Sequence, residues 1–212
     1  MYKRQPLVLT RSPLVAPHNA GILYSGETIV SWNTLKYLPF YNSLAANKGI
    51  SWWSHDVGGY KDGIEDSELY VRYVQFSTFS PIFRFSAKRG IYYKREPWAW
   101  DVETFNIARE YCWLRQRLIP YLYTAAYEYS KTGRPIIQPI YYSYPEIYDE
   151  PTYRNEYYFG KEMFIAPITK TKEPTMNRSV ERIFLPKGIW YDFKTGKKFV
   201  GNKRYVVFLS LI

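Results

Sequence analysis

Apolar residues fall in short bursts along this chain, and their spacing changes character partway through. Leu7 to Thr10 and Gly21 to Tyr24 read as short buried strands. Ser31 is placed to cap a helix carrying Trp32, Leu35, Leu38 and Ala45, kinked at Pro39 and ended by Gly49. Ile50 to Ser54 reads as a third strand, closed by a turn at Asp56-Val57-Gly58-Gly59. Asp66 or Ser67 caps a helix with Leu69, Tyr73 and Phe76 on one face. Ile82 to Phe85 reads as a fourth strand. Asp101 caps a longer helix with Val102, Phe105, Ala108, Cys112 and Arg115 at helical spacing, and a second follows from Tyr121 to Lys131, stopped by Gly133-Arg134-Pro135. Strand and helix thus alternate through the first half, which predicts an α/β unit with a parallel sheet. Polar residues gather just after the strands, where a barrel carries its active site. From about residue 135 the pattern becomes short apolar pieces separated by turns: Ile136 to Tyr142, Tyr157 to Phe159, Met163 to Pro167, Arg182 to Leu185 and Trp190 to Phe193. Pro186-Lys187-Gly188 and Lys194-Thr195-Gly196 read as hairpin turns, so this part is expected to be an antiparallel β domain.

Composition narrows the classes. The chain has 212 residues, 46% apolar and 20% aromatic, which excludes a disordered or collagen-like polymer. No apolar run reaches the roughly 18–20 residues of a membrane helix, so no membrane partner is expected. A single cysteine, Cys112, excludes an internal disulfide and a cysteine-based zinc site, and two histidines, His18 and His55, argue against a histidine-rich metal centre. The net charge of +10 is concentrated. Ten basic and three acidic residues lie between Lys170 and Arg204, and this tail reads as a solvated face, with phosphate binding the lesser alternative. A nucleic-acid partner is not expected, because the aromatic residues there sit in a strand-like alternation. The lone cysteine and the lack of a visible signal segment lean toward the cytoplasm, an inference that lapses if the amino terminus is foreign.

The candidate chemistry follows the strands. Arg11 follows the first, Tyr24 and Glu27 end the second, Trp53, His55 and Asp56 end the third, and Arg84 and Ser86 end the fourth. Carboxylates, arginines and aromatic rings converging on one face suit a sugar: carboxyl groups bind hydroxyls and transfer protons, and rings stack on pyranose faces. Each residue also has a plainer reading. Glu27 fits the first turn of a helix, Asp56 fits a turn that bonds its own backbone, Trp52 and Trp53 fit a core, His55 fits a structural role, and Arg84 fits an ion pair with Glu96 or Asp101.

The order of several motifs resembles glycoside hydrolase family 31, the retaining α-glucosidases and α-xylosidases. The motifs are Leu9-Thr10-Arg11-Ser12, Tyr24-Ser25-Gly26-Glu27, Trp53-Ser54-His55-Asp56-Val57-Gly58-Gly59, Phe83-Arg84, Arg95-Glu96-Pro97-Trp98, Leu114-Arg115 through Pro120-Tyr121-Leu122-Tyr123, Phe159-Gly160 with Ala166-Pro167-Ile168, and Leu185 through Asp192 with Thr195-Gly196. The resemblance implies the C-terminal half of a (β/α)8 barrel over residues 6–134, followed by a truncated proximal C-terminal β domain over 135–208. It implies Glu27 as the acid/base, Arg11, Tyr24, Trp53, Asp56, Arg84 and Ser86 as substrate-binding residues, an oligosaccharide or α-glucoside as substrate, and no cofactor or metal. Two positions depart from the family pattern: Glu27 stands where Asp is usual, and Ser86 where a sugar-binding His is frequent. The nucleophile implied by the resemblance lies on a barrel strand upstream of Arg11. A retaining mechanism needs both carboxyl groups about 5–5.5 Å apart, so this chain alone is expected not to hydrolyse. A non-catalytic carbohydrate-binding paralogue is the alternative.

Tyr2-Lys3-Arg4-Gln5 and Leu209 to Ile212 can be read from opposite strands of one short DNA element that resembles the end of a transposase-based sequencing adapter. Residues 1–5 and 209–212 are therefore expected to be foreign to the natural protein.

Overall fold

The computed structural model describes residues 8–11 and 21–211. The expected foreign segment 1–5, the start of the first expected strand at Leu7, Ser12 of the Thr-Arg-Ser motif, His18 and Ile212 lie outside the described residues.

Strands β1 (Leu9–Thr10), β2 (Ile22–Tyr24) and β4 (Trp53–Ser54) form a parallel sheet in that order, with Leu9 opposite Ile22 and Leu23 opposite Trp53. Between them run β3 (Ile29–Val30) and helix α1 (Trp32–Asn47). The Ser31 hydroxyl accepts from Thr34 N at 3.1 Å, and this cap starts α1 despite Pro39 in its interior. Past β4 come β5 (Lys61–Gly63), parallel to β3, and α2 (Ser67–Thr78), capped by Asp66, which accepts from Leu69 N at 2.6 Å. Helix α3 (Val102–Arg117) is capped by Asp101, and α4 (Ile119–Thr132) ends at Gly133, left-handed at φ 72°. Parallel strands with covering helices make this half part of a (β/α) barrel.

The fourth expected strand, Ile82 to Phe85, is not a strand. It contributes one parallel bridge, Val57 to Phe85, with Val57 N donating to Arg84 O at 3.2 Å. The approach to it is held by a side chain instead: the Arg115 guanidinium donates to the carbonyls of Thr78, Ser80 and Pro81 at 2.6–2.8 Å, and Pro81 has no N–H to offer a ladder. The apolar face expected on α3 is also rotated: Thr104, Ile107 and Ala108 are buried, whereas Val102 is 75% exposed.

The second half is antiparallel. Strands β6 (Ile137–Pro139), β7 (Tyr157–Phe159) and β8 (Met163–Ile165) form one sheet. The strand expected to run to Tyr142 stops at Pro139, which lacks an N–H, and Ile140–Tyr142 turn as a 3-10 segment. Strand β9 (Ser179–Leu185) pairs along its length with β12 (Lys203–Leu209), and β10 (Ile189–Tyr191) pairs with β11 (Lys198–Val200). Lys194-Thr195-Gly196 is the hairpin turn of β10 and β11. Pro186-Lys187-Gly188 is not a hairpin turn: it passes the chain from one ribbon to the other, because β12 already occupies β9.

One core joins the two halves. Leu35, Leu38, Val57, Leu69, Tyr73, Val74, Phe76 and Ala108 from the first half pack with Ile136, Ile137, Tyr157 and Phe159 from the second. Helix α2 also grips the β domain through one face. Glu68 accepts from Lys172 N at 2.8 Å, Arg72 Nη2 donates to Ser179 Oγ at 2.8 Å, and Gln75 Nε2 donates to Leu211 O at 2.7 Å. These residues lie four and three apart, as one helical face requires. The opposite side of α2 supports the residues described next.

Candidate functional site

The parallel ladder puts Tyr24 and Ser54 side by side at the ends of β2 and β4. Two residues beyond, Asp56 is fully buried, and its carboxyl group is met from two sides. The Tyr24 hydroxyl donates to Oδ2, and Arg84 Nη2 donates to Oδ1 at 2.7 Å. Arg84 Nε also donates to Ser54 Oγ at 3.2 Å, and its guanidinium lies over the Tyr24 ring at 4.8 Å from the centroid. Burial pushes the Asp56 carboxyl up from the usual range, while the donors on its two oxygens favour the ionised form. Burial, then the Asp56 carboxylate, pushes the Tyr24 hydroxyl up, so it stays a neutral donor. A ligand entering here meets Arg84 and Tyr24, with Asp56 behind them. Arg84 pairs with Asp56, not with Glu96 or Asp101, whose carboxyl groups serve Arg95 N and the α3 cap.

Glu27 lies on the rim. Gly26 before it is buried at φ 89°, and a Cβ there would stand 3.3 Å from Arg11 Nε, so the Arg11 guanidinium lies over this glycine beside Glu27. Glu27 Oε2 accepts from Lys61 Nζ at 3.0 Å, with both side chains about a third exposed. Hydrogen bonding to Lys61, assisted by the charges of Lys61, Arg11 and Lys88, holds the Glu27 carboxyl below its ordinary range. The structure thus brings Arg11, Tyr24, Glu27, Asp56 and Arg84 to one end of the sheet. Ser86 is half-buried and follows the Val57–Phe85 bridge. Trp53 is not brought to that face: it is 7% exposed and packs edge-on against Tyr41 at 4.9 Å, with Leu23 and Ala45 around it.

The support beneath is built from α2. His55 is fully buried, its Nε2 is 2.8 Å from Ser77 Oγ, and its ring stacks on Phe76 at 5.1 Å. Burial, and then the Arg84 charge, pushes it down to about 3, so it is neutral near pH 7 and serves as a structural residue. Arg95, buried, donates to Gly59 O at 2.8 Å and to Glu65 at 3.1 Å, fixing the turn after Asp56. Arg115 fixes the segment before Arg84 in the same way. Lys61 is absent from the sequence-level motifs, and Arg95 and Arg115 stand in them without a role. Arg95 and Arg115 bind backbone carbonyls that no side-chain pattern displays, and Lys61 meets a carboxylate 34 positions away. Among the described residues no group of three or more His, Cys, Asp and Glu is placed to hold a metal ion, and no helix is long and apolar enough to cross a membrane.

Comparison with known proteins agrees with this fold. Residues 1–125 match the TIM-barrel domain of the family 31 glycosyl hydrolases, and residues 133–210 match that family's C-terminal domain. The chain is 31% identical over 98% of its length to alpha-glucosidase 2 of Bacillus thermoamyloliquefaciens, covering 26% of that protein. It is 30% identical over 98% of its length to an alpha-xylosidase of Saccharolobus solfataricus, covering 28% of it. Among solved structures, a cycloalternan-degrading enzyme from Trueperella pyogenes superposes with a TM-score of 0.85 at 25% identity, over 96% of this chain and 28% of that one. The chain therefore spans about a quarter of the length of these relatives. With two consecutive domain models of one family matching most of its length, the chain belongs to glycoside hydrolase family 31.

Proposed function

We propose that this chain is the part of a retaining α-glycosidase, an α-glucosidase by preference, that carries the acid/base and most of the −1 sugar subsite. The carrying observation is the Tyr24–Asp56–Arg84 cluster at the strand ends, with Glu27 and Arg11 beside it. Arg11, Arg84 and Tyr24 offer donors and a ring to a sugar, Asp56 fixes two of them, Trp53 backs the strand from below, and Ser86 offers a hydroxyl nearby. Glu27 first gives its proton to the departing glycosidic oxygen. It then takes a proton from the water that releases the sugar from the nucleophile. The nucleophile belongs to a barrel strand upstream of Arg11. Its negative charge, about 5–5.5 Å away, would raise the Glu27 carboxyl toward the range a proton donor needs. The relatives named alpha-glucosidase and alpha-xylosidase support an α-glucoside or α-xyloside as substrate class, and a related structure holds isomaltose.

The test is Glu27→Gln in the intact protein, assayed on an aryl α-glucoside. Loss of a general acid lowers turnover by about 10²- to 10⁴-fold. Unchanged activity would remove Glu27 from the role. Sugar binding with no turnover by the unmodified intact protein would favour the non-catalytic paralogue.

A further inference from the structure

Lys61 is not a loosely tethered surface lysine. Tyr60 N and Lys61 N both donate to Thr28 O, at 2.8 and 3.1 Å, so its backbone is tied to the residue next to Glu27. The β3–β5 pair sets Lys61 opposite Ile29. Gly63 allows the approach: at φ 83° it lies so close that a Cβ would fall 2.0 Å from Val30 O. The ammonium then reaches Glu27 Oε2 at 3.0 Å. A glutamate is one methylene longer than aspartate, and this partner occupies its extended reach.

We infer that Lys61 is a positioning residue for Glu27: it anchors the longer carboxylate at the rim and limits, on the alkaline side, the pH range over which Glu27 carries the proton it must donate. The inference rests on the acid/base reading of Glu27 and deepens it. Lys61 keeps its own proton throughout, and the transferred proton passes only between Glu27 and the glycosidic oxygen or water. Among the described residues the charged groups around Glu27 are Lys61 on β5, Arg11 after β1, Lys88 beyond the Phe85 bridge and Asp56 after β4, with Asp62 beside Lys61. Three of these cations act on Glu27 in one direction, and Lys61 alone is hydrogen-bonded to it. Removing its charge favours the protonated acid.

The experiment is the pH profile of kcat/KM for the intact protein on the aryl α-glycoside it turns over best, with Lys61→Met, Lys61→Arg and Glu27→Gln in parallel. Lys61→Met is expected to move the alkaline limb to higher pH, and Lys61→Arg to leave it near its original place. A merely structural lysine would scale the whole profile without moving the limb. If the Lys61→Met limb superposes on the original while Glu27→Gln is inactive, the role of Lys61 falls and that of Glu27 stands. If Glu27→Gln retains full activity, both fall.

Discussion

Two buried titratable side chains give this molecule opposite responses to pH. Glu156 is 2% exposed, accepts from Phe184 N at 3.0 Å through one oxygen, and has no partner on the other among the described residues. Burial pushes its carboxyl up from 4.5 to about 9. Between those values the folded chain holds a proton that the unfolded chain releases, so stability falls as pH rises through that window. His55 works the other way: pushed down from 6.5 to about 3, it stays neutral while the unfolded chain takes up a proton, so stability falls as pH drops through that range. Thermal melts at about pH 6 and about pH 9 read Glu156 with little contribution from His55, whose window lies below pH 6.5. Glu156→Gln keeps the acceptor for Phe184 N and is expected to lose less melting temperature on going to the higher pH than the unmodified chain does. An equal loss would place the alkaline sensitivity elsewhere.

At the scale of elements, what was legible was local. Ser31, Asp66, Asp101 and Gly133 mark helix ends because each bonds, or bends, backbone within a few residues of itself. Strands β3 and β5 escaped notice because they are short, and a pairing such as Ile29 with Lys61 is made across a helix and a strand. The stretch Lys170 to Arg204, which reads as a solvated basic face, contains β9, β10, β11 and the start of β12. Lys198, Lys203 and Arg204 do face water, but the backbone carries the pairing of β11 with β10 and of β12 with β9. The site divides along the same line. Arg11, Tyr24, Glu27, Asp56 and Arg84 follow strands, and parallel pairing gathers strand ends, whereas Trp53, one residue before Ser54 and on the other face, goes to the core. The β3–β5 contact yields its own prediction. Gly63→Ala must displace Val30 or unpair β5, at a cost of about 1–3 kcal/mol, and denaturant melts should show it. Stability unchanged by this substitution would mean that the two strands are not held together as described.

For the whole molecule, the sheet β1–β2–β4 ends at β1 on one side among the described residues, and α3 and α4 leave Trp113, Tyr123 and Tyr127 more than half exposed. Open strand edges and uncovered aromatic rings favour self-association. Purified alone, the chain is expected to sediment as aggregates and to show no turnover of an aryl α-glucoside. A monodisperse monomer would refute the first expectation and measurable turnover the second. The grip of α2 on the β domain has a consequence for how the polypeptide is made. Arg72 is almost wholly buried, and the Ser179 hydroxyl that receives it lies 107 residues further along the chain. At about 5–20 residues per second, a ribosome needs roughly 5–20 s to supply that partner. Throughout that interval Arg72 has Glu68 and Gln75 of its own helix to pair with, but not the hydroxyl that completes its buried setting. Helix α2 thus reaches its final packing only after the start of β9 has left the ribosome.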